Sequence, residues 1–333
     1  MSNTSQNCSN ADKVELDSVC LDKILHYFLA LDDSVMPEEY TVAESKHTVQ
    51  NWKNAMHAAV RYFRERPVNP LFSDILQREY NQDTAERAAK GNVTVVNIPY
   101  QFPDGKIDFL FDVTKENCEY YNPEWQWQLN RMYFWNDMAL AYLHTHDESI
   151  AAAFAQQVYQ WVTTVHCPAQ WNGLGSGWRT IETGLRLMGS WQIAFEVFRK
   201  SPSVPDETLA LMLASMHEQA YHALEHCTSH NWLLMELNGV HTFAAVFPEF
   251  TSSQLLRQKS AELLSDEIRK QLLPDGMQFE LSPDYHSIVV HCGAMLYRIA
   301  GINGFLGDLP EDLGKNLEQS AGVYLQMMTP AFT

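Results

Sequence analysis

The chain after Tyr121 consists almost entirely of segments in which apolar residues recur at helical spacing. The segment that starts at Ser149 is a clear example, because Ile150, Phe154 and Trp161 form one apolar stripe. Short loops that carry Gly, Pro, Asp or Ser separate the segments. The periodicity predicts eight helices, at about residues 126–145, 149–165, 178–199, 205–226, 231–246, 252–272, 283–302 and 311–328.

Consecutive helices with short connections pack as hairpins, and strands are too few here to build a sheet. We therefore predict an all-α fold in which helical hairpins stack around an axis, as an (α/α) toroid or a solenoid. The division of the chain that we expect is a disordered tail at 1–15, N-terminal helices plus an irregular region packed on the toroid at 16–123, and the toroid core at 124–333.

The irregular region separates the first helical patterns from the rest. Helical spacing is present at about 14–31 and 49–64, whereas residues 66–123 are rich in Pro, Asn and Asp. Two short pieces of that stretch, at 93–98 and 107–111, have the composition of strands. We expect part of this stretch to lie over the surface of the helices.

The charge balance limits the possible partners. The chain has 23 Lys and Arg against 41 Asp and Glu, a formal net charge of −18. This argues against a nucleic-acid surface and an anionic-membrane surface, and a polyanionic ligand would need the basic residues concentrated in one cleft. The six cysteines contain no CxxC pair and indicate buried thiols. We predict no metal and no cofactor.

Two polar stretches place amide, guanidinium and indole groups near helix starts. The first, "EWQWQLNRMYFW" (124–135), offers Trp127, Asn130 and Arg131, which are groups that bind sugars; the alternative is a helix start packed through its tryptophans. The second, "NGLGSGWRTIETGLRLMGSW" (172–191), spaces Arg179 and Glu182 three residues apart and Glu182 and Arg186 four apart. Such residues form either an ordinary surface ion pair or an arginine aimed at an anion.

Two further stretches place candidate catalytic groups in the first turn of a helix. In "TSHNWLLMELNGVHTFAAVFPEF" (228–250), a cap at Thr228 or Ser229 puts His230 and Asn231 at the helix start, with Glu236 further on. A histidine on such a helix is otherwise a structural one. In "LSPDYHS" (281–287), Ser282 is the predicted N-cap and Pro283 the first helical residue, ahead of Tyr285 and His286.

These groups suit one reaction if the two helix starts converge. The positive ends of the helices favour an anionic substrate group between them, and the same field would ease Tyr285 toward its phenolate. Asn231, His230 and Arg179 could neutralise the carboxylate of a uronic acid so that its C5 proton can be removed, with β-elimination of the glycosidic oxygen. A hydrolase would instead need two placed carboxylates, and the spacing marks no such pair.

At this point the sequence resembles the heparinase II/III-like polysaccharide lyase family, which includes exo-acting alginate lyases. Four motifs carry the resemblance in the family's order: "WQWQLNRMYFW" (125–135), "WRTIETGLRLMGSW" (178–191), "SHNWLLMELNGVHTFAAVFPEF" (229–250) and "LLPDGMQFELSPDYHSIVV" (272–290). The resemblance spans about 105–330. It implies an N-terminal (α/α) toroid followed by a C-terminal β-sandwich. This chain ends near "YLQMMTPAFT", where that second domain should begin, so we expect an incomplete toroid barrel without it.

The resemblance also implies roles for individual residues. Tyr285 would be the catalytic tyrosine, Asn231 would neutralise the substrate carboxylate, and His230 would assist them. The resemblance also places Arg179, Glu182 and Glu236 in the same cleft and gives His286 a supporting role. The composition of the first polar stretch adds Trp127, Asn130 and Arg131 to the residues expected to bind substrate.

The leading hypothesis is thus a lyase acting on an anionic, uronate-containing polysaccharide, with sulfate-poor or unsulfated uronans preferred because the chain is acidic. The alternatives are a non-catalytic glycan-binding module and an (α/α)-toroid glycoside hydrolase. The resemblance implies a periplasmic or secreted protein, although no signal peptide is visible in this sequence.

Overall fold

The computed structural model of the protein describes residues 20, 22–24, 30–41, 49–115, 121–173 and 177–328. These residues are mostly helical, which confirms the all-α prediction. The helices are α1 (Glu38–Thr41), α2 (Val49–Glu65), α3 (Gln82–Ala89), α4 (Glu124–Leu129), α5 (Phe134–Thr145), α6 (Glu148–Thr164), α7 (Thr180–Met188), α8 (Ser190–Phe198), α9 (Asp206–Glu225), α10 (His230–Val246), α11 (Ser253–Gln271), α12 (Pro283–Ile302) and α13 (Leu313–Met327). The predicted tail at 1–15 and most of the helix at 14–31 lie outside the described residues.

Six of the eight predicted helices agree with the structure to within two residues at each end, and two are broken. The predicted helix at 126–145 is interrupted after α4, where Met132 adopts a left-handed backbone with φ of 52°. The predicted helix at 178–199 is interrupted between α7 and α8, where Gly189 leaves the helical region. The breaks contact each other, because Ser190 Oγ donates a 2.7 Å hydrogen bond to the backbone carbonyl of Arg131.

One hairpin, β1 (Asn92–Val95) and β2 (Ile98–Gln101), forms the two-stranded antiparallel sheet of the described residues, with Val95 opposite Ile98. Both residues of its turn have a positive φ, as a tight hairpin turn requires. The second predicted strand, at 107–111, is wrong. Asp108 forms a turn there instead, because its carboxylate accepts from the Leu110 backbone N–H at 2.9 Å.

The long helices pack against their neighbours in chain order. Helix α9 contacts α6, α7 and α10, and α10 in turn contacts α11 and α12, so successive hairpins lie side by side. Five tryptophans fill the interior between these helices, and all are fully buried: Trp125, Trp135, Trp161, Trp178 and Trp191. None of the described helices is long and apolar enough to cross a membrane.

Helices α7 and α10 cross at a pair of glycines, which brings their backbones into direct contact. A Cβ atom added at Gly184 would lie 2.5 Å from the Glu236 Cα atom, and one added at Gly239 would overlap the Gly184 backbone. No larger residue fits at either position without displacing a helix. This close approach places Thr180 and Glu182, on α7, beside Glu236 on α10.

A set of buried charges joins helix α2 to α8, and we call it the N-terminal cluster: Arg66, Glu196, Arg199 and Glu249. Arg66 contacts the carboxylates of Glu196 at 2.7 Å and Glu249 at 3.0 Å, and Arg199 contacts Glu196 at 2.9 Å. Arg199 also donates to the backbone carbonyl of Arg64 at 2.8 Å. The two arginines and two glutamates of this cluster carry no net charge, and their ion pairs and hydrogen bonds are made to other groups of the protein.

Candidate functional site

An open groove of about 540 Å³ lies at the start of α10. The loop before α10 and the first turn of the helix form one side of the groove, through Thr228, His230, Asn231 and Trp232. Phe279 and Glu280, from the segment that leads into α12, form the other side. The His230 and Phe279 rings lie 5.8 Å apart across it. Asn231 therefore lines the groove.

Next to this groove two arginines share one buried carboxylate, and we call Arg131, Arg179 and Glu182 the groove cluster. Arg131 Nη2 lies 2.8 Å from Glu182 Oε1, and Arg179 Nε lies 2.8 Å from Glu182 Oε2. Glu182 is fully buried. Partly exposed Glu124 lies 3.6 Å from Arg131 at the edge of the cluster. The three members of the cluster carry two positive charges and one negative charge, a local positive surplus within an acidic chain that Glu124 offsets in part at the edge.

Two indole rings hold the Arg179 guanidinium. Its central carbon lies 3.6 Å from the Trp127 ring centroid and 4.9 Å from that of Trp232. This stack joins the first polar stretch of the sequence to the third, because Trp127 belongs to α4 and Trp232 to α10. Trp232 keeps 39% of its surface exposed and lines the groove.

Arg186 lies deeper in the protein than the groove cluster. It forms no ion pair with Glu182, so the pairing predicted from their spacing of four residues is wrong. Its guanidinium donates to Gln219 Oε1 at 2.8 Å and to the Asn130 backbone carbonyl at 2.9 Å, and it lies over the Trp161 ring. Burial lowers the pKa of Arg186 to about 9, and the negative charge of Glu182 opposes this shift. Arg186 therefore adds a third positive charge beneath the groove cluster.

Glu236 holds the loop that forms the groove wall. Its carboxylate accepts hydrogen bonds from Thr180 Oγ1 at 2.6 Å, from the Thr228 backbone N–H at 2.7 Å and from Thr228 Oγ1 at 3.0 Å. Burial raises the pKa of Glu236, these hydrogen bonds lower it, and the charge of Glu182 adds a smaller upward contribution. The carboxylate is fully buried and occupied by protein donors, which suits it to positioning rather than to direct substrate contact.

The start of α10 differs from a free helix terminus. Ser229 occupies the N-cap position without a side-chain capping bond, and the backbone N–H of His230 donates instead to Glu267 Oε1 at 3.0 Å. This N–H is therefore already bonded within the protein and is not available to a substrate anion. The His230 ring itself is exposed at the groove, next to Ser229 Oγ at 3.0 Å.

The start of α12 agrees with the sequence. Ser282 is the N-cap, its hydroxyl faces the Tyr285 backbone N–H at 3.5 Å, and Pro283 is the first helical residue. Tyr285 is 41% exposed. His286 is fully buried, with Nδ1 accepting from the Gln278 backbone N–H at 3.1 Å and Nε2 donating to the Ser320 carbonyl at 2.9 Å. Both ring nitrogens of His286 are therefore bonded within the protein. The prediction that His286 supports substrate binding is wrong, and the residue has a structural role.

Asn130 was also predicted to bind substrate, and the structure places it in the interior instead. Its side-chain N–H groups donate to the carbonyls of Phe109 and Gln126, both at 2.9 Å, and its oxygen accepts from Trp161 Nε1 at 2.9 Å. The side chain is fully buried. Asn130 therefore fixes the break after α4 and does not face the groove.

The two helix starts lie at the same end of the molecule. The His230 ring contacts Phe279 just before α12, and Asn238 Nδ2 donates to the Cys292 carbonyl at 3.0 Å, further along both helices. Two contacts in the same chain order show that α10 and α12 run in the same direction. Tyr285 thus lies at the groove end of α12, beyond Phe279 and Glu280.

Several groove residues were missed by the sequence analysis. Trp232 was passed over because one tryptophan beside a charged stretch gives no sign of its exposure. Thr180 and Glu267 were missed because their contacts join different helices, and Thr228 was considered only as a candidate cap. The helix crossing could have been suspected from two glycines inside predicted helices, in the pairs Thr183-Gly184 and Asn238-Gly239. Among the described residues, no group of His, Cys, Asp and Glu side chains could hold a metal ion.

Comparison with known proteins decides the family. The heparinase II/III N-terminus family model matches residues 31–333. This chain belongs to that family. The heparin-sulfate lyase of Pedobacter heparinus is 30% identical over 302 residues, covering 85% of this chain and 44% of the relative. The heparin-sulfate lyase of Bacteroides stercoris is 27% identical over 244 residues, covering 68% of this chain and 36% of the relative.

The solved structure of heparinase III has the same fold as this chain. It superimposes with a TM-score of 0.79 at 22% identity, over 92% of this chain and 47% of that chain. This likeness confirms the predicted toroid. The chain spans less than half the length of these curated relatives and about half that of the solved structure.

Proposed function

We propose that this chain forms the toroid part of a polysaccharide lyase that cleaves a uronate-containing glycosaminoglycan by β-elimination. The observation that carries the proposal is the open groove in which Asn231 lies beside the positive surplus of the groove cluster, at the end of the molecule where α12 presents Tyr285. Two relatives named heparin-sulfate lyase support heparan sulfate as the substrate class. Their names weigh against the earlier preference for unsulfated uronans.

In the proposed mechanism Asn231 is the group that neutralises the substrate carboxylate. The structure gives its side chain no hydrogen-bond partner among the described residues, and its amide N–H groups are free to donate to a carboxylate oxygen. Arg179 and Arg131 lie close by, and their surplus positive charge lowers the cost of bringing a uronate into the groove. Donors that strengthen as charge builds up on the carboxylate stabilise the enolate more than the ground state.

Proton transfer then falls to Tyr285, with His230 as an assisting group. The C5–H bond breaks, its electron pair forms the C4=C5 double bond, and the bond from C4 to the glycosidic oxygen breaks. Tyr285 takes the C5 proton and returns a proton to the leaving oxygen. The products are a fragment that ends in an unsaturated uronate and a fragment with a new reducing end, formed without water or a redox cofactor.

The half-length coverage favours a second candidate, a glycan-binding toroid that needs further residues for catalysis. The third hypothesis, a glycoside hydrolase, has less support. Glu182 is paired with two arginines and Glu236 accepts three hydrogen bonds, which leaves Glu280 as the one carboxylate among the residues that line the groove. A hydrolase requires two carboxylates across the scissile bond.

The test is to incubate the chain with heparan sulfate, chondroitin, hyaluronan and alginate and to follow the ultraviolet absorbance of the C4=C5 double bond. The lyase proposal predicts growth of this band on heparan sulfate. Tyr285→Phe should abolish it, and Asn231→Ala should slow it by about 10²- to 10³-fold, the usual effect of removing one oxyanion donor. Tyr297→Phe, on an exposed tyrosine further along α12, is the matched control.

The other outcomes separate the candidates. Glycan affinity that Asn231→Ala reduces, without the band, supports the binding module. New reducing ends without the band indicate a hydrolase. An unchanged rate in Tyr285→Phe would contradict the role proposed for this tyrosine.

A further inference from the structure

Four buried polar residues connect the start of α10 with the start of α12. Glu267 Oε1 accepts from the His230 backbone N–H at 3.0 Å and from Gln271 Nε2 at 3.1 Å. Gln271 Oε1 accepts from Gln278 Nε2 at 3.3 Å, and the Gln278 backbone N–H donates to His286 Nδ1 at 3.1 Å. The series begins one residue before Asn231 and ends one residue after Tyr285.

We propose that Glu267 is a positioning residue that sets the geometry between Asn231 and Tyr285. The inference rests on the proposed function, since it concerns the same groove. Glu267 touches neither reacting group and acts through the backbone of His230 and through Gln271. Glu267 is 6% exposed, and Gln271, Gln278 and His286 are each almost fully buried.

The backbone at His230 shows why such a residue is needed. His230 has a φ of 61°, in the left-handed region that costs free energy for any residue except glycine. The neighbouring cap position supplies no side-chain bond to hold this conformation. The hydrogen bond to Glu267 is the interaction that fixes the His230 N–H, and the next residue, Asn231, takes its direction from that fixed backbone.

Three hydrogen bonds of the series point toward Glu267, and the fourth, from the Gln278 backbone N–H to His286, points away from it. Its carboxylate only accepts, so Gln271 must turn its N–H toward it, and this orients the Gln271 oxygen to accept from Gln278. The Gln278 oxygen in turn accepts from the Glu280 backbone N–H at 2.9 Å, which fixes a wall residue of the groove. His286 Nδ1 accepts the Gln278 backbone N–H, and Nε2 is the nitrogen that donates to the Ser320 carbonyl.

The test compares Glu267→Ala with Glu267→Gln, which keeps an oxygen that can accept from His230. Glu262→Ala is the control, because Glu262 is an exposed residue of the same helix paired with Lys259 at 2.8 Å. We expect Glu267→Ala to lower kcat by about 10- to 100-fold through misplacement of Asn231, with little change in KM. Glu267→Gln should restore most of the rate, and Glu262→Ala should leave it unchanged.

A double variant asks whether Glu267 acts through Asn231. In an Asn231→Ala background, Glu267→Ala should cause no further loss of kcat. Two losses that multiply would overturn the inference, because they would show that Glu267 acts by another route. Equal losses in Glu267→Ala and Glu267→Gln would also overturn it.

Amide hydrogen exchange gives a readout that does not depend on activity. The His230 amide should be protected in the natural chain and in Glu267→Gln, and should exchange freely in Glu267→Ala, while the Leu237 amide in the same helix stays protected in all three. If the natural chain forms no unsaturated product, the proposed function fails and this measurement still decides whether Glu267 holds the start of α10. A His230 amide that stays protected in Glu267→Ala contradicts the inference.

Discussion

The groove cluster and the N-terminal cluster are built from the same residue types but are not equivalent. Both place buried glutamates against arginines at about 2.7–2.9 Å. In the N-terminal cluster two arginines balance two glutamates, and Arg199 spends its remaining donors on backbone carbonyls. In the groove cluster two arginines share Glu182, and Arg179 is held between the Trp127 and Trp232 rings.

The difference shows how an acidic chain can still bind a polyanion. A buried arginine whose charge is matched and whose donors are used joins two helices and offers little to a ligand. A cluster with surplus positive charge beside an open groove creates a local field opposite to that of the whole molecule. The acidic net charge argues against a nonspecific polyanion-binding surface, and it remains compatible with a local anion site at this groove.

The largest expected effect comes from removing the shared carboxylate of each cluster. Glu182→Gln and Glu196→Gln should each lower the free energy of unfolding by about 3–5 kcal/mol, because the first leaves buried Arg179, and the second buried Arg199, without its carboxylate partner. The comparison predicts that only Glu182→Gln also changes heparan sulfate affinity. Urea denaturation and a binding titration measure the two quantities. Equal changes in affinity for both variants would remove the distinction between the clusters.

A pH titration sharpens the comparison, because the arginines of both clusters keep their charge in acid. A loss of stability at low pH must therefore come from other titratable groups. Burial lowers the pKa of His241 to about 3, helped by Arg257 and opposed by Asp308, and burial lowers the pKa of His222 to about 4. Below pH 6.5 the unfolded chain takes up protons that the folded chain refuses, so stability is full above pH 6.5 and declines as the pH falls toward these values.

We expect His241 alone to contribute a loss on the order of 2 kcal/mol between pH 7 and about pH 5. His241→Leu should flatten this part of the curve, since neither ring nitrogen has a partner among the described residues. Urea denaturation at a series of pH values provides the measurement. An unchanged pH dependence in His241→Leu would show that His241 is not the source.

The smallest effect is expected at the rim of the groove. Trp232→Ala should weaken heparan sulfate binding by about tenfold, or roughly 1.4 kcal/mol, because it removes an exposed ring and one side of the Arg179 stack. Stability should change little, since Trp232 is 39% exposed. Tyr297→Ala, at a tyrosine 45% exposed on α12, is the control. If both variants bind equally well, the groove face of Trp232 has no role in recognition.

Much of the fold was predictable because helical periodicity is a local property. The start of α12 followed from Ser282 and Pro283, and its bounds agree with the structure. The breaks at Met132 and Gly189 did not follow, because they depend on a contact between Ser190 and a distant backbone carbonyl. Local patterns do not report such contacts.

The site shows the same limit. The Arg179–Glu182 pair followed from a spacing of three, whereas the Arg131–Glu182 and Thr180–Glu236 contacts depend on how helices cross. Asn130 and His286 were assigned to the groove because they belong to polar stretches. Composition cannot tell a polar side chain that faces solvent from one whose bonds are satisfied in the interior.

The central claim is that Asn231 and Tyr285 act on one uronate in this groove. A crystal structure of Tyr285→Phe with a heparan sulfate tetrasaccharide tests it most directly. The account predicts a uronate carboxylate within hydrogen-bond distance of Asn231 Nδ2, with its C5 atom facing the ring of residue 285. A sugar chain bound elsewhere, or one whose carboxylate and C5 atom contact neither residue, would contradict it.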